Sequence, residues 1–586
     1  MIDGKDMTQD DDAQDDSLFA NDNPHQLWAR LEGLYLSCEL KTLTQRFARD
    51  PQRTEKMSLR QGPLYLDYSK HHLDQAILNA LRQLAHNQGF EQKRQALFSG
   101  EAINQSENRA ALHMALRNPG LETLKGQPLT DAIRETRQRI DRFATQFCRG
   151  EIKGFTGKPL HQVIHIGIGG SYLGPKMLHE ALAAVHERKA SCHYIANIDG
   201  NQLNQVLAAV NPETCLVIVA SKSFSTLETH INARAVRDHF LTVMSEAQLK
   251  HHFVGVTANT AQALAFGISE ERLFPLWDQI GGRYSVWSAV GLPLCLTYGP
   301  EVFAALLAGA SDMDEHFRTA PAQNNMPLIM ALLTVWYGHF FNAHSQAIVP
   351  YDHSLRLFPA HLQQLVMESN GKSVKQDGTP VSYSTSPVVW GAEGTNGQHA
   401  FHQLLHQGTQ FIPVDFILPM NTGHQRQSHQ DNMVANCLAQ SLALMTGRQQ
   451  ADIRSELQAQ GIDNETAELM ASHRACPGNR PSTTLILDDL SAGTLGAMLA
   501  LYEHRVFCEA ILWQINPFDQ WGVELGKTLS QSIHQQIINA PEAKGVDTDQ
   551  DQDASTRQLL ALYREARDNK AKAEKENTKA TPTQSK

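Results

Sequence analysis

The sequence predicts an α/β protein with two doubly wound parallel sheets, a helical segment before them and a helical arm after them. Three observations predict it. From about Gln162, short apolar runs rich in Val and Ile alternate with stretches of helical spacing. A second alternation of the same kind begins near Ala347. With 586 residues the chain also exceeds one ordinary core, so more than one domain is expected.

In chain order, residues 1–24 hold eight Asp against Lys5 alone. Seven of the eleven net negative charges therefore lie in this segment, which reads as a disordered acidic N-terminus. The body is close to neutral and lacks clustered Lys and Arg, which argues against nucleic acid or an anionic membrane as partner. Residues 25–140 read as helices that pack on the second domain, because LWARLEGLYLSCELKTLTQRF and LDQAILNALRQLAHNQ space their apolar residues by three and four. Residues 141–300 make the first sheet domain: VIHIGIG, a helix from Pro175, CHYIAN, a helix near Leu203, CLVIVA, a helix at Thr226, FVGVTAN and a helix near Gln262. Residues 301–540 make the second: AIVPY, a helix from Ser354 to Ser369, PVVWG, a helix from Gln398, QFIPVDFILP, and long helices from Asn432 and Gly493. Residues 541–586 read as an acidic linker, a short helix (STRQLLALYREARD) and a disordered charged tail from about Asn569.

Eight cysteines lie scattered without a C-x-x-C pair and read as reduced thiols. The N-terminus has no basic region followed by an apolar one, and the longest apolar stretch, near Met330 to Phe341, falls short of the ~20 residues of a membrane helix. A cytoplasmic location is expected.

The stretch richest in chemistry is VIVASKSFSTLET, Val217 to Thr229. An apolar strand meets a helix there, and Ser225 with Glu228 has the spacing of a capping box. Helix N–H groups, the hydroxyls of Ser221, Ser223, Ser225 and Thr226, and the charge of Lys222 suit a small dianion such as a phosphate monoester. The alternative is an ordinary Ser- and Thr-rich cap. A glycine turn, Gly167-Ile168-Gly169-Gly170-Ser171-Tyr172, also joins a strand to a helix. It resembles a dinucleotide fingerprint, but Tyr172 stands where the third glycine belongs and no acid ends the next strand before Asp199. Asn370-Gly371-Lys372-Ser373 and Gly526-Lys527-Thr528 end like phosphate-binding loops, yet Val366 and Trp521 occupy the upstream glycine position.

Glu368 falls at the C-terminal end of its helix, with Gly371 as a left-handed cap, among apolar neighbours. That setting favours a carboxylate base, although a solvated last-turn glutamate fits as well. Gly394-Thr395-Asn396-Gly397-Gln398-His399 presents a histidine at a helix start, with His402 and His406 sharing a face. A metal site is the rival reading, and no acid or cysteine joins them locally. Arg283 sits on a glycine turn, and Lys527 ends the run from Phe518.

Together these blocks closely resemble the glucose-6-phosphate isomerase, or phosphoglucose isomerase, family. HIGIGGSYLGP, ASKSFSTLET, GGRYSVWSAVGLP, MESNGKSV, GTNGQHAFHQLLHQGT, PGNRPSTTLILDDL and FDQWGVELGK stand in family order from about residue 26 to 568. The resemblance implies two sugar-isomerase (SIS) domains and a sugar phosphate substrate held by Ser221, Lys222, Ser223 and Thr226, with Gly170 and Ser171 beside the sugar. It implies that His399 with Lys527 opens the ring, that Glu368 moves the proton between C2 and C1 through a cis-enediol(ate), and that Arg283 steadies the developing charge. Gln364 and Gln520 match substrate contacts. No cofactor or metal is implied, and the family forms homodimers with His399 crossing the interface. Family members usually carry Asp at Tyr172, Thr at Ser223 and Ser225, Gln at Leu227 and Tyr at His402. Two other classes fit parts of the pattern. A non-catalytic sugar phosphate sensor has no use for Glu368, His399 and Lys527 together, and a nicotinamide-dependent oxidoreductase is disfavoured by Tyr172.

Overall fold

The computed structural model describes residues 24–39, 41–118, 120, 128–538 and 552–580. The acidic N-terminal segment, apart from Pro24, and most of the acidic linker lie outside the described residues. The chain divides into two compact units, one up to Asp519 and one from Gln520.

The first unit holds both sheets. Its first strands, β1 (Ser58–Gln61) and β2 (Leu64–Asp67), form a hairpin. Next come β3 (Gln162–Ile166), β4 (Ser191–Ile195), β5 (Cys215–Ala220), β6 (Phe253–Thr257) and β7 (Leu273–Pro275), an all-parallel sheet of order β4-β3-β5-β6-β7. All six residues of β5 are buried, which is why a strand covered on both faces reads as a continuous apolar run. The last strands, β8 (Ser345–Pro350), β9 (Val388–Trp390), β10 (Val414–Asn421) and β11 (Ser482–Asp489), join the hairpin in a sheet of order β1-β2-β11-β10-β8-β9.

Only β8 to β11 run parallel in this second sheet; β2 pairs antiparallel with β11, Leu64 opposite Leu487 and Leu66 opposite Leu485. The all-helical reading of residues 25–140 is corrected here. Two four-residue strands are too short to show a period, and only Leu64 and Leu66, buried on alternate positions, betray the second. The expected helix from Gln398 is also corrected: one helix, Gly394–Gln398, ends there and another, His402–Gln407, begins after a break at 399–401. In the second unit, the helix Glu524–Ile538 is followed by Ala554–Ala580, which runs past Asn569 where a disordered tail was expected. Its Ala, Lys and Glu residues are strong helix formers even where the composition is purely polar.

The helix Ala492–Trp513 is buried along nearly its whole length, as an all-round apolar helix must be. It crosses Pro300–Thr319 backbone against backbone. A Cβ on Gly309 would lie 1.9 Å from the Gly493 carbonyl oxygen, and one on Gly496 would lie 1.9 Å from that of Leu306. From the same helix, buried Arg505 reaches Asp415 of β10 at 3.0 Å and Glu509 at 2.8 Å, so its charge is paired on both sides. All eight cysteines are free thiols, and no helix among the described residues is long and apolar enough to cross a membrane.

Gly496→Ala forces this crossing apart and is expected to cost about 1–3 kcal/mol of stability, the usual penalty of overpacking. Gly33→Ala, with open space around it in the helix Pro24–Glu39, is the control and loses nothing. Denaturant midpoints measure both; equal midpoints for the two variants contradict the close crossing.

Candidate active site

The chain leaves β3 toward β4 on one side, while β5 lies on the other side of β3. The turns after β3 and β5 therefore flank the crevice that such a reversal of strand order opens. After β3, Gly169 takes a left-handed φ of +58°. Gly170 lies so close to the segment 281–285 that a Cβ would come within 2.0 Å of the Gly282 carbonyl oxygen, so no other residue fits. His165 holds the turn from below, its Nε2 2.7 Å from the Ser171 carbonyl oxygen. Burial pushes this imidazole down to about 4, so it is neutral and Nε2–H is the donor.

After β5, the expected capping box is absent. Thr226 is the N-cap of the helix Leu227–Phe240, and no side chain caps its first turn. The hydroxyls bond one another instead: Ser221 Oγ lies 3.2 Å from Thr226 Oγ1, and Ser225 Oγ donates to Ser223 Oγ at 2.9 Å. A capping box needs the Ser225 oxygen for a helix N–H, and this one points back to Ser223. Between them Phe224 has φ +52° with its ring buried against Phe266, a strained conformation for a bulky residue that locks the turn. Lys222 donates to the Asp278 carbonyl oxygen at 3.2 Å and faces its carboxylate at 3.3 Å. The result is a positive helix end fringed by hydroxyls and a lysine, which suits a dianion.

Glu368 stands at the end of a π-helical segment, Gln363–Glu368, that interrupts the helix begun at Phe358. Such segments are local strain often found where chemistry happens. Glu368 Oε2 accepts from Gln364 Nε2 at 3.0 Å and from Arg283 Nη1 at 3.3 Å. Oε1 accepts no hydrogen bond among the described residues, and about a quarter of the side chain is exposed (24%). Gly371 does not take the left-handed conformation expected of it; its missing side chain serves close approach, since a Cβ would lie 2.4 Å from the Met367 carbonyl oxygen. Arg283 is only 2% exposed, and its guanidinium also donates to Ser369 Oγ at 2.5 Å, to the Asp519 carbonyl oxygen at 3.1 Å and to that of Pro517. Gly169 closes the circle, where a Cβ would meet Gln364 Nε2 at 3.1 Å.

The structure thus brings together Gly170, Arg283, Gln364 and Glu368, while the turn Ser221 to Thr226 ends the strand beside β3 and its Lys222 reaches the carbonyl oxygens of Asp278 and Ile280, just before the glycine turn of Arg283. Among the described residues no side-chain bond links His399 to this group. It is the exposed residue that ends the helix Gly394–Gln398. Gln520 and Lys527 belong to the second unit, where Lys527 pairs with Glu524 at 2.7 Å. Sequence reasoning missed Ser369, Tyr284, Lys372 and the loop 516–519, which surround the arginine. Ser369 and Lys372 had a signal in the polar run after Glu368, and Tyr284, Phe518 and Asp519 lay within blocks already singled out for Arg283 and Lys527.

A family model described as phosphoglucose isomerase matches residues 67–560. The chain belongs to the phosphoglucose isomerase family. It is 46% identical over 540 residues to a glucose-6-phosphate isomerase of Shewanella amazonensis, covering 92% of this chain and 98% of that one. It is 47% identical over 526 residues to one of Pseudomonas fluorescens, covering 89% and 94%. A crystal structure of a glucose-6-phosphate isomerase from Chlamydia trachomatis matches with a TM-score of 0.76 at 33% identity, covering 89% of this chain and 97% of that one.

Tyr172 and His402, where the resemblance led other residues to be expected, are held by local packing. Tyr172 is partly buried with its ring edge-on to Tyr194, and burial together with Glu180 raises its hydroxyl above the ordinary tyrosine range. His402 Nδ1 and His406 Nε2 lie 3.1 and 2.8 Å from one shared acceptor, the Gln440 amide oxygen. Asp199, the acid weighed for a dinucleotide ribose, instead caps the helix Gly200–Ala209 by accepting from the Asn201 and Gln202 N–H groups.

Proposed function

We propose that the chain interconverts glucose 6-phosphate and fructose 6-phosphate, with Glu368 as the base that carries a proton between C2 and C1. One observation supports this above the rest. One oxygen of the Glu368 carboxylate is held by Gln364 and Arg283 while the other accepts no hydrogen bond among the described residues, so the base is positioned yet unblocked. The substrate phosphate sits on Ser221, Lys222, Ser223 and Thr226, with Gly170 and Ser171 beside the sugar and Gln364 and Gln520 contacting it. His399 with Lys527 opens the pyranose ring by moving a proton between the ring oxygen and the C1 hydroxyl. Glu368 Oε1 then takes the C2 proton; the C2–H electrons become the C1=C2 bond as the C1=O π pair moves onto O1, giving a cis-enediol(ate). The protonated Glu368, whose proton can exchange with solvent, gives a proton to C1 as the C2 hydroxyl loses its own and becomes C2=O, with O1 keeping a proton. Negative charge grows on the oxygens meanwhile, and Arg283 meets it with a cation that cannot lose its proton. The reaction neither gains nor loses electrons overall, so the base and these polar groups suffice. The enzyme acts in the cytoplasm as a homodimer, and exposed His399 completes the neighbouring subunit's site.

A coupled assay of fructose 6-phosphate conversion tests the activity, and two variants separate the steps. Glu368→Gln is expected to bind sugar phosphate normally and lose roughly 10²–10⁴-fold in kcat. Its C2 proton then fails to exchange with solvent deuterium by NMR; exchange at the parent rate removes Glu368 as base. His399→Ala recovers activity on an acyclic substrate, and Glu368→Gln does not.

For the phosphate turn, Thr226→Ala chiefly raises KM, since losing a donor to a dianion costs about 1.5–3 kcal/mol. An unchanged KM contradicts this binding mode.

For the assembly, specific activity falls as the dimer is diluted to monomers. Full activity in a species that light scattering shows to be monomeric contradicts a shared site.

A further inference from the structure

The lysine of the abandoned loop-like fragment Asn370-Gly371-Lys372-Ser373 has found another occupation. Its side chain is 17% exposed, and its ammonium is crowded with acceptors: the carbonyl oxygens of Glu368 (3.3 Å), Ser369 (2.7 Å), Asn516 (2.9 Å) and Asp519 (3.0 Å), and Asp519 Oδ1 at 3.1 Å. An ammonium has three protons, so they are shared among more acceptors than they can satisfy singly. The acceptors fall into two groups. Those of Glu368 and Ser369 are carbonyls from the end of the helix that carries the base, where unpaired oxygens and the negative end of the dipole attract a cation. Those of Asn516 and Asp519 belong to the loop that also supplies the Pro517 and Asp519 carbonyls to Arg283.

The Asp519 carbonyl oxygen is therefore held by two cations at once, Lys372 at 3.0 Å and Arg283 at 3.1 Å. Arg283 in turn reaches the Glu368 carboxylate. A closed circuit results, from the Glu368 main chain through Lys372, Asp519 and Arg283 to the Glu368 side chain. The loop is anchored independently, since the Asp519 carboxylate also accepts from Ser106 Oγ at 2.5 Å and Asn516 Nδ2 at 2.9 Å. Without Lys372, of these two cations on the Asp519 carbonyl oxygen only Arg283 remains, and the pull of that oxygen on the guanidinium competes with Glu368.

We propose that Lys372 is a positioning residue for the carbon-acid step, fastening the end of the Glu368 helix to the loop that anchors Arg283 and so fixing where the base stands. The proposal rests on the roles given to Glu368 and Arg283 above. It matters to rate because proton abstraction from carbon tolerates little misplacement of the base. The charged groups facing Lys372 are Asp519 and Glu368 on the acidic side and Arg283 on the basic; Glu509, behind Asn370, is occupied with Arg505. Burial, with Arg283 adding to it and the two acids opposing it, holds the ammonium below the ordinary lysine range. As pH rises Lys372 thus loses its charge earlier than an exposed lysine, and kcat declines with it.

The test compares Lys372→Met, Lys372→Arg and Glu368→Gln in the full-length enzyme, with melting curves to verify folding. Lys372→Met is expected to lose about tenfold or more in kcat while KM for fructose 6-phosphate stays within about threefold, because the phosphate turn is untouched. Lys372→Arg recovers part of kcat, and its alkaline decline moves to higher pH because a guanidinium does not titrate there. A Lys372→Met enzyme within twofold of the parent kcat overturns the proposal, as does a loss carried equally by KM. Should Lys372→Met not fold, Lys372→Arg decides: an alkaline limb identical to the parent's overturns the proposal, and a shifted one supports it. Parental turnover in Glu368→Gln defeats the base assignment itself, whereas an inactive Glu368→Gln beside a normal Lys372→Met removes the role of Lys372 alone.

Discussion

A sealed guanidinium is the constraint on which the rest of this site depends. Arg283 cannot escape burial by giving up a proton, so every donor it turns inward must find an oxygen. Those oxygens come from the helix after β8, through Glu368 and Ser369, and from the loop after the helix Ala492–Trp513, through Pro517 and Asp519. Satisfying one cation thus draws segments far apart in sequence to a single point. The glycine turn after β3 then has to pass against Gly282 with no side chain between, which ties the first sheet to the same point.

The phosphate side of the crevice is organised differently. Its hydroxyls are paired with one another, Ser221 with Thr226 and Ser225 with Ser223, and a buried aromatic ring at Phe224 pins the turn. The hydroxyls are thus held in place by one another, and on the proposed binding mode an incoming anion replaces weak hydroxyl contacts rather than ordering a loose loop. In the proposed mechanism, rigid donors hold the unreacting end of the substrate and the movable proton is left to Glu368.

What the sequence revealed was local. Strands β3 and β5 are short, apolar and followed at once by glycine or hydroxyl turns, so both the sheet and the turns that end its strands could be read from adjacent residues. The capping box at Ser225 had the right spacing, but spacing does not say whether a hydroxyl faces a helix N–H or another serine. The π-helical stretch that ends at Glu368 has no signature of its own in the sequence, since its residues Gln363 to Glu368 read as ordinary helix formers. Gly371 looked like a helix stop by conformation and turned out to be needed for space. The hairpin β1–β2 was invisible because its partner lies at the other end of the chain. Of the residues given chemical roles, Arg283, Gln364 and Glu368 meet within one unit, whereas His399 and Lys527 were nameable only through the family blocks.

That hairpin has a bearing on how the protein comes into being. β2 reaches its place only by pairing with β11, Leu64 with Leu487, so more than four hundred residues of synthesis separate the two partners. Strands β3 to β7, by contrast, lie between Gln162 and Pro275, and their sheet needs nothing from beyond that interval to complete its ladder. The two sheets are thus unequal in time. The one that ends in the hydroxyl turn can form while the ribosome is still at work, and the one joined by the hairpin must wait for nearly the whole chain, with β2 holding an unpaired edge until β11, the last strand among the described residues, arrives.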